Sequence, residues 1–195
     1  MNPRQPADVF EFKGAAVLSN TIIATAAAAV ISTGNDFDTV QLECTGHGYL
    51  AGSLIYLSGF IAPLKYLNGL KMIYAVATNT FDVRVRPGQF VAGTPAGTEV
   101  ARVAITMDER YLTESIEIHL NTACATVEDL EVNKDAASGS QFDYKPWDRA
   151  MNTEKDKDMR WDPKLECNAN DLMVVTWANA NSRTWGIKLI ARRLA

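Results

Sequence analysis

The sequence predicts an all-β fold built as two small β-modules in tandem, and three observations support this class. Short apolar segments alternate with polar residues in the two-residue period of a half-buried strand. Turns rich in Gly, Asn and Pro separate these segments at close spacing, which is typical of sandwiches and barrels. No long segment carries the apolar stripe of an amphipathic helix.

The first module is predicted over residues 39–106. It begins with a strand in which Val40 and Leu42 alternate with polar residues. Asn68-Gly69 predicts a two-residue turn with a positive φ. Further strands are expected at 53–58, 70–76, 80–85 and 99–105. We expect these strands to close into a small β-barrel, with glycines allowing the tight turns.

The second module is predicted over residues 107–195 as a jelly-roll-like β-sandwich. Its clearest strand is 115–121, where Ile116, Ile118 and Leu120 share one face. The charge-dense segment 148–164 is interpreted as a long loop. Further strands are expected at 130–133, 142–144, 171–177 and 184–191.

Residues 1–38 are predicted to form an extended N-terminal arm and a first strand. Residues 15–31 are apolar enough to suggest a targeting or membrane segment, but Ser19, Asn20 and Thr21 interrupt them. The residues before them include Asp8 and Glu11, which argues against a signal peptide. We therefore expect no membrane association, and deletion of residues 1–30 is expected to leave both modules folded.

Charge and cysteine content exclude several classes of function. The net charge is −4 and neither half of the chain is basic, so we expect no nucleic-acid partner. The 3 cysteines are widely spaced, which does not fit a disulfide framework and suits a protein made in a reducing cytoplasm. Cys44, Cys124 and Cys167 are each predicted to be buried apolar residues.

Histidine and cysteine offer little for catalysis or metal binding. Cys44 and His47 have a zinc-like spacing, but no second pair of ligands accompanies them. The glycines beside His47 favour a tight turn, and His119 is predicted on the solvated face of a strand.

Two other segments resemble ligand loops without meeting their chemical requirements. Residues 91–99 are rich in glycine but lack the Gly-Lys-Ser/Thr ending of a phosphate-binding loop. Glu154, Asp156 and Asp158 alternate as in a calcium loop, but the required Gly and the distant bidentate Glu are missing. We predict no catalytic residues, no metal site and no cofactor.

All 4 tryptophans fall in the second module. Trp177 and Trp185 bracket a polar turn and are predicted in the core or in a subunit interface. Trp147 and Trp161 flank the charged segment and are the better candidates for an exposed interface or a glycan contact. Core or interface positions are the favoured interpretation of all four, with sugar stacking as the alternative.

Two stretches carry recognisable combinations of turn and strand residues. In residues 45–85 these are Gly46, His47, Gly48, Gly52, Ser58, Gly59, Asn68, Gly69, Asn79, Thr80 and Phe81. In residues 115–191 the most specific part is 177–186 (WANANSRTWG). With these residues the first stretch resembles a small β-barrel module of tailed-bacteriophage virion proteins, and the second resembles a jelly-roll-like sandwich of phage structural proteins.

This resemblance implies a non-enzymatic virion protein that is made in the bacterial host cytoplasm. The favoured role is a capsid decoration or cement protein that stabilises the head. Its expected partners are the major capsid protein or other virion proteins and further copies of itself, with a trimer favoured. The alternative is a tail-associated adaptor or receptor-binding protein whose sandwich contacts a glycan.

Overall fold

The computed structural model describes residues 7–15, 18–21, 29–32, 36–106 and 109–194. Strands dominate this part of the chain, with two short 3₁₀ turns at Leu64–Leu67 and Ser140–Phe142. The all-β class is thereby confirmed. In chain order the strands are β1 (Asp8–Gly14), β2 (Ser19–Thr21), β3 (Ala29–Ser32), β4 (Asp38–Glu43), β5 (Leu54–Ser58), β6 (Gly69–Val76), β7 (Thr80–Val85), β8 (Val100–Arg102), β9 (Ala104–Thr106), β10 (Tyr111–Leu120), β11 (Asp129–Asp135), β12 (Tyr144–Ala150), β13 (Asp156–Cys167), β14 (Leu172–Thr176) and β15 (Trp185–Arg193).

The chain divides into two compact units, and one is inserted into the other. Unit 1 comprises residues 1–13 and 104–195, and unit 2 comprises residues 14–103. The sequence predicts a tandem order with boundaries at 38/39 and 106/107. The difference arises because β1 pairs with β15, which lies almost the whole chain length away. Local periodicity carries no signal of such a pairing.

Unit 1 is an eight-stranded sandwich of two antiparallel sheets. Their strand orders are β1-β15-β10-β13 and β12-β11-β14-β9. When the eight strands are numbered within the unit, these orders become 1-8-3-6 and 5-4-7-2. This is the strand order of a jelly roll, in which early and late strands of the chain lie side by side. The strand order thus agrees with the jelly-roll-like sandwich predicted for the second module.

The core of unit 1 comes from one face of each sheet. Along β10 the side chains of Ile116, Ile118 and Leu120 are at most 3% exposed, in the alternation that the sequence predicts. In the other sheet Leu130 and Val132 are fully buried.

The predicted loop 148–164 is wrong, because most of it is strand. β12 runs to Ala150 and the twelve-residue β13 begins at Asp156. Among the strands that the structure describes, β13 lies at the edge of its sheet and has a neighbour on one side only. Charged residues are common on such edges because they discourage pairing with another chain, which explains the loop-like composition.

Unit 2 contains one antiparallel sheet with the order β2-β8-β5-β6-β7-β4-β3. Its two end strands, β2 and β3, do not pair with each other in the described residues, so the sheet is open there. The expected closed barrel is therefore not what these residues form. The buried face carries Leu42, Ile55, Leu57, Ile73, Phe81 and Val83, each at most 1% exposed.

Where an arm and one first strand are expected over residues 1–38, the described parts of this segment contain three strands, β1, β2 and β3. β1 belongs to unit 1, and Phe12 on it is only 1% exposed. β2 and β3 belong to the sheet of unit 2. The rest of the predicted arm, residues 1–6, 16–17, 22–28 and 33–35, lies outside the described residues.

Gly69 has the predicted positive φ, of 98°, but not in a two-residue turn. The connection from β5 to β6 is longer and contains the 3₁₀ turn Leu64–Leu67, which Asn68 follows. The Asn68 side chain accepts from the backbone N–H of Phe60 and donates to its carbonyl, at 3.0 and 2.8 Å. Asn68 therefore holds a longer loop closed. In the described part of the chain, no helix has the length and apolarity needed to cross a membrane.

Candidate functional site

His47 is a buried structural residue of unit 2. Its ring is 2% exposed, and its Nδ1 accepts the N–H of Tyr49 at 3.0 Å. Nε2 therefore carries the proton, which it donates toward the carbonyls of Ala77 and Thr80 at 3.0 and 3.1 Å. The ring also stacks on Tyr49 and meets the edge of Phe81. The imidazole thus ties the 45–49 turn to the β6–β7 turn and to the core.

The glycine-rich segment 91–99 binds an anion that the chain itself supplies. The Glu99 carboxylate is 1% exposed and accepts the N–H groups of Ala96, Gly97 and Thr98 at 2.7, 2.8 and 3.1 Å. Burial opposes ionisation of this carboxyl, but the backbone donors outweigh it and hold the pKa of Glu99 below its ordinary value. An N–H nest of this kind accepts phosphates in other loops, and here Glu99 fills it.

The three carboxylates considered for calcium point to separate partners. Asp156 pairs with His119, and Asp158 lies 3.3 Å from Arg160. Glu154 pairs with Lys157 at 2.7 Å. Across the described residues, no group of three or more His, Cys, Asp or Glu side chains is arranged to hold a metal ion.

The three cysteines are buried free thiols. Burial raises the pKa of Cys44 to about 12 and also raises those of Cys124 and Cys167. A thiol must lose its proton to act as a nucleophile, so these environments suppress thiolate chemistry.

The two tryptophans proposed for ligand contact lie in different sheets. Trp147 is on β12. Trp161 is on β13, in the bulge between Arg160 and Leu165. Both side chains are half-buried, so each presents part of its surface to solvent. The indole Nε1 of Trp161 is buried without a hydrogen-bond partner in the described residues. Trp177 and Trp185 are buried, at 6% and 2% exposure.

A buried ion pair in unit 1 is absent from the sequence predictions. The Lys134 Nζ lies 2.9 Å from Asp171 Oδ2, and their side chains are 11% and 2% exposed. Asp171 also accepts the N–H groups of Ala137 and Asn168 at 3.0 and 2.8 Å. Burial alone would raise its pKa, but Lys134 and these donors lower it. The pair fastens the 136–140 turn to the start of β14, which is a structural task.

An exposed apolar surface of unit 2 lies on the outer face of its sheet, defined here by Leu54, Tyr56, Leu70, Met72 and Tyr74. Met72 and Tyr74 are 61% and 55% exposed, and the other three are half-buried. The register places Leu54 opposite Met72 and Tyr56 opposite Leu70, so β5 and β6 present one continuous surface. In the sequence, strands whose residues are apolar on both faces are the signal that could have indicated this outer face.

Two arginines extend this outer face. The Arg84 guanidinium lies between the rings of Phe37 and Tyr74, 3.7 and 3.6 Å from their centroids. Arg102 lies over Tyr56 at 5.8 Å. Stacking of a cation on an aromatic face is favourable by about 0.5–1 kcal/mol at an exposed site, so these contacts favour the side-chain conformations that keep the arginines on this face.

Fold and geometry together define an all-β protein with a jelly-roll sandwich, an inserted open sheet and one apolar, arginine-rimmed surface. Comparison with protein-family models, curated proteins and solved structures found no match to this chain. The function is therefore argued from the site.

Proposed function

We propose that this chain is a non-enzymatic structural protein of a tailed-bacteriophage virion, and that it decorates and stabilises the head. The observation that carries the proposal is the outer face of the unit 2 sheet. Contiguous exposed apolar surface is costly for a free protein and marks contact with another protein. Jelly-roll sandwiches, the fold of unit 1, also form viral capsid domains.

The composition of the outer face supports a protein partner. Tyrosine, methionine and arginine are enriched at interfaces between proteins, and tyrosine and arginine dominate the binding energy there. Tyr56, Met72, Tyr74, Arg84 and Arg102 all lie on this face. The proposed partner is the major capsid protein, bound by several copies around a symmetry axis, with a trimer favoured.

The buried titratable groups support a structural role over a catalytic one. His47, Glu99 and Asp171 each use their hydrogen-bonding capacity on backbone groups of the same unit. An enzyme site instead directs such groups toward a cleft where substrate binds.

Gold-labelled antibody imaging of the parent particles is the direct test. Label over the head supports decoration. Label confined to the tail would replace it with the tail-adaptor or receptor-binding function, for which Trp147 and Trp161 become the residues to test. No label on any particle would refute a virion role.

A second experiment tests the outer face itself. Met72→Asp places a charge at its centre and is expected to lower incorporation into particles at least about tenfold, which corresponds to about 1.4 kcal/mol of binding free energy. Val127→Asp is the matched control, because Val127 is 67% exposed but lies in unit 1. Equal incorporation of the two variants would show that the outer face does not make the contact.

A further inference from the structure

A groove crosses the solvent side of the sheet β1-β15-β10-β13 in unit 1. Phe12, Ile118 and Ile187 are at most 3% exposed, so their side chains fill the core side of the sheet. The alternation of a strand then sends Glu117 and Lys188 to the opposite side. The groove has a volume of ≈ 480 Å³, which is within the range of about 300–1,000 Å³ for small-molecule sites.

Gly186 keeps this groove open. It lies on β15 opposite His119, which in turn lies opposite Asp156. A Cβ added at Gly186 would meet nothing within 4 Å, so the space above it is free. Gly186 is also not among the glycines with positive φ, so the backbone does not require glycine there. Glycine at this position therefore leaves the recess open, and the backbone conformation of the strand does not require it.

The lining of the groove places hydrogen-bond donors beside acceptors. Four carboxylates, two lysines and one histidine face it from the solvent side, giving a net charge near −2 when the histidine is neutral. Lys157 borders the groove through its backbone only, because it lies opposite the core residue Ile118 and its side chain pairs with Glu154. Lys188 lies 3.5 Å from Glu11, and His119 pairs with Asp156. In the middle row Glu117 lies between Lys188 and Asp158.

This arrangement matches a ligand rich in hydroxyl groups. A hydroxyl both donates and accepts, so neighbouring hydroxyls are satisfied by donors and acceptors placed side by side. A strongly anionic or cationic ligand would meet like charges in the same groove. We propose that the groove binds a neutral saccharide over Gly186, with Glu117, His119 and Lys188 among its hydrogen-bonding partners.

The proposed site differs from the glycan contact that was the alternative interpretation of Trp147 and Trp161, because neither of these residues lines the groove. It is also independent of the proposed virion role. Particle imaging tests the location of the protein, whereas saccharide binding is measured on the purified chain, so either proposal can fail alone.

The test is titration of the purified full chain with neutral, sialylated and amino-sugar oligosaccharides, followed by amide chemical shifts. We expect neutral oligosaccharides to bind and to shift amides of β10 and β15 around His119 and Gly186. No binding by any neutral member, tighter binding by a charged class, or shifts confined to other surfaces would overturn the proposal.

Two substitutions at Gly186 give a graded control. Gly186→Leu fills the recess and is expected to weaken binding at least about tenfold. Gly186→Ala adds one methyl group and should weaken it less, while both variants keep the wild-type melting temperature. Unchanged affinity in a folded Gly186→Leu protein would show that the saccharide binds elsewhere.

Two substitutions of Glu117 distinguish the contribution of its hydrogen bond to affinity from the contribution of its charge. Glu117→Gln keeps an acceptor and is expected to retain affinity within about threefold, whereas Glu117→Ala removes the acceptor and should lose about tenfold. A loss of affinity in Glu117→Gln as large as that in Glu117→Ala would indicate a cationic ligand and contradict the neutral class.

Discussion

At the scale of single residues, the two histidines have opposite environments. His47 is buried and joins three backbone groups, while the His119 side chain is 66% exposed. His47→Ala removes the acceptor of the Tyr49 N–H and the donor to the Ala77 and Thr80 carbonyls, and it opens a cavity beside Tyr49 and Phe81. We therefore expect a loss of about 2–4 kcal/mol in the free energy of unfolding.

The measurement is denaturant unfolding followed by amide hydrogen exchange, which resolves unit 2. His119→Ala is the control and should change the free energy of unfolding by less than about 0.5 kcal/mol. Similar losses in both variants would show that the contacts of His47 carry no net stability.

Glu99 makes unit 2 sensitive to acid. Its pKa is lower in the folded protein than the ordinary 4.5, so the folded state binds its proton less readily than the unfolded state does. The resulting stabilisation is complete above the unfolded-state pKa and is lost as the pH falls through the lowered folded-state pKa. We therefore expect the stability of unit 2 to decline from about pH 5 downward.

Glu99→Gln should remove that part of the pH dependence. Glutamine has one acceptor oxygen, and its NH₂ group would face N–H donors, so we also expect a loss of about 1–3 kcal/mol at neutral pH. Calorimetry of the variant from pH 7 to pH 3 measures both effects. Glu109→Gln, at an exposed position, serves as the control. A pH profile identical to that of the wild type would contradict the nest assignment.

At the scale of elements, the contribution of β1 to stability tests whether the N-terminus is an arm or part of the sandwich. Phe12 is 1% exposed on this strand, whereas Val9 is 52% exposed. Phe12→Ala is expected to cost about 3–5 kcal/mol, and Val9→Ala less than about 1 kcal/mol.

Tryptophan fluorescence follows this unfolding specifically, because all 4 tryptophans lie in unit 1. A Phe12→Ala protein as stable as Val9→Ala would restore the predicted arm. Deletion of residues 1–30 is therefore expected to destabilise unit 1, because it removes an edge strand of the sandwich together with β2.

The edge position of β13 also explains why the segment 148–164 has the composition of a loop. Its charges belong to β12 and to β13, which lies at the edge of its sheet and exposes many side chains to solvent. A strand exposed in this way has the composition of a loop, and periodicity cannot separate the two. By contrast, β10 alternates clearly, because one face is buried and the other is solvated.

At the scale of the whole molecule, the insertion predicts different fates for the two halves of the chain. Unit 2, residues 14–103, has its own buried face and is expected to fold when expressed alone. Residues 104–195 lack β1 and should be markedly less stable than unit 1 in the full chain.

Adding back the missing strand tests this directly. A peptide of residues 1–14 should bind residues 104–195 and restore cooperative unfolding of the tryptophan signal, because its backbone can pair with β15. The same peptide with Phe12→Ala should bind at least about tenfold more weakly. Full stability of residues 104–195 without any peptide would show that β1 is dispensable.

Much of this protein is encoded locally and could be predicted from the sequence. The all-β class, most strand positions, the buried cysteines, the positive φ of Gly69 and the core positions of Trp177 and Trp185 all follow from a period of two residues, from turn chemistry or from side-chain hydrophobicity. These properties depend on a residue and its near neighbours in the chain, so they can be predicted from the local sequence.

Tertiary structure alone shows the insertion of unit 2, the open sheet, the Glu99 nest and the groove above Gly186. Each depends on which strands or backbone groups become neighbours in space, as when β1 joins β15 across the length of the chain. The pairing of distant strands is determined by the burial of whole apolar sheet faces and by the entropy of loop closure. Both are collective properties of the folded chain.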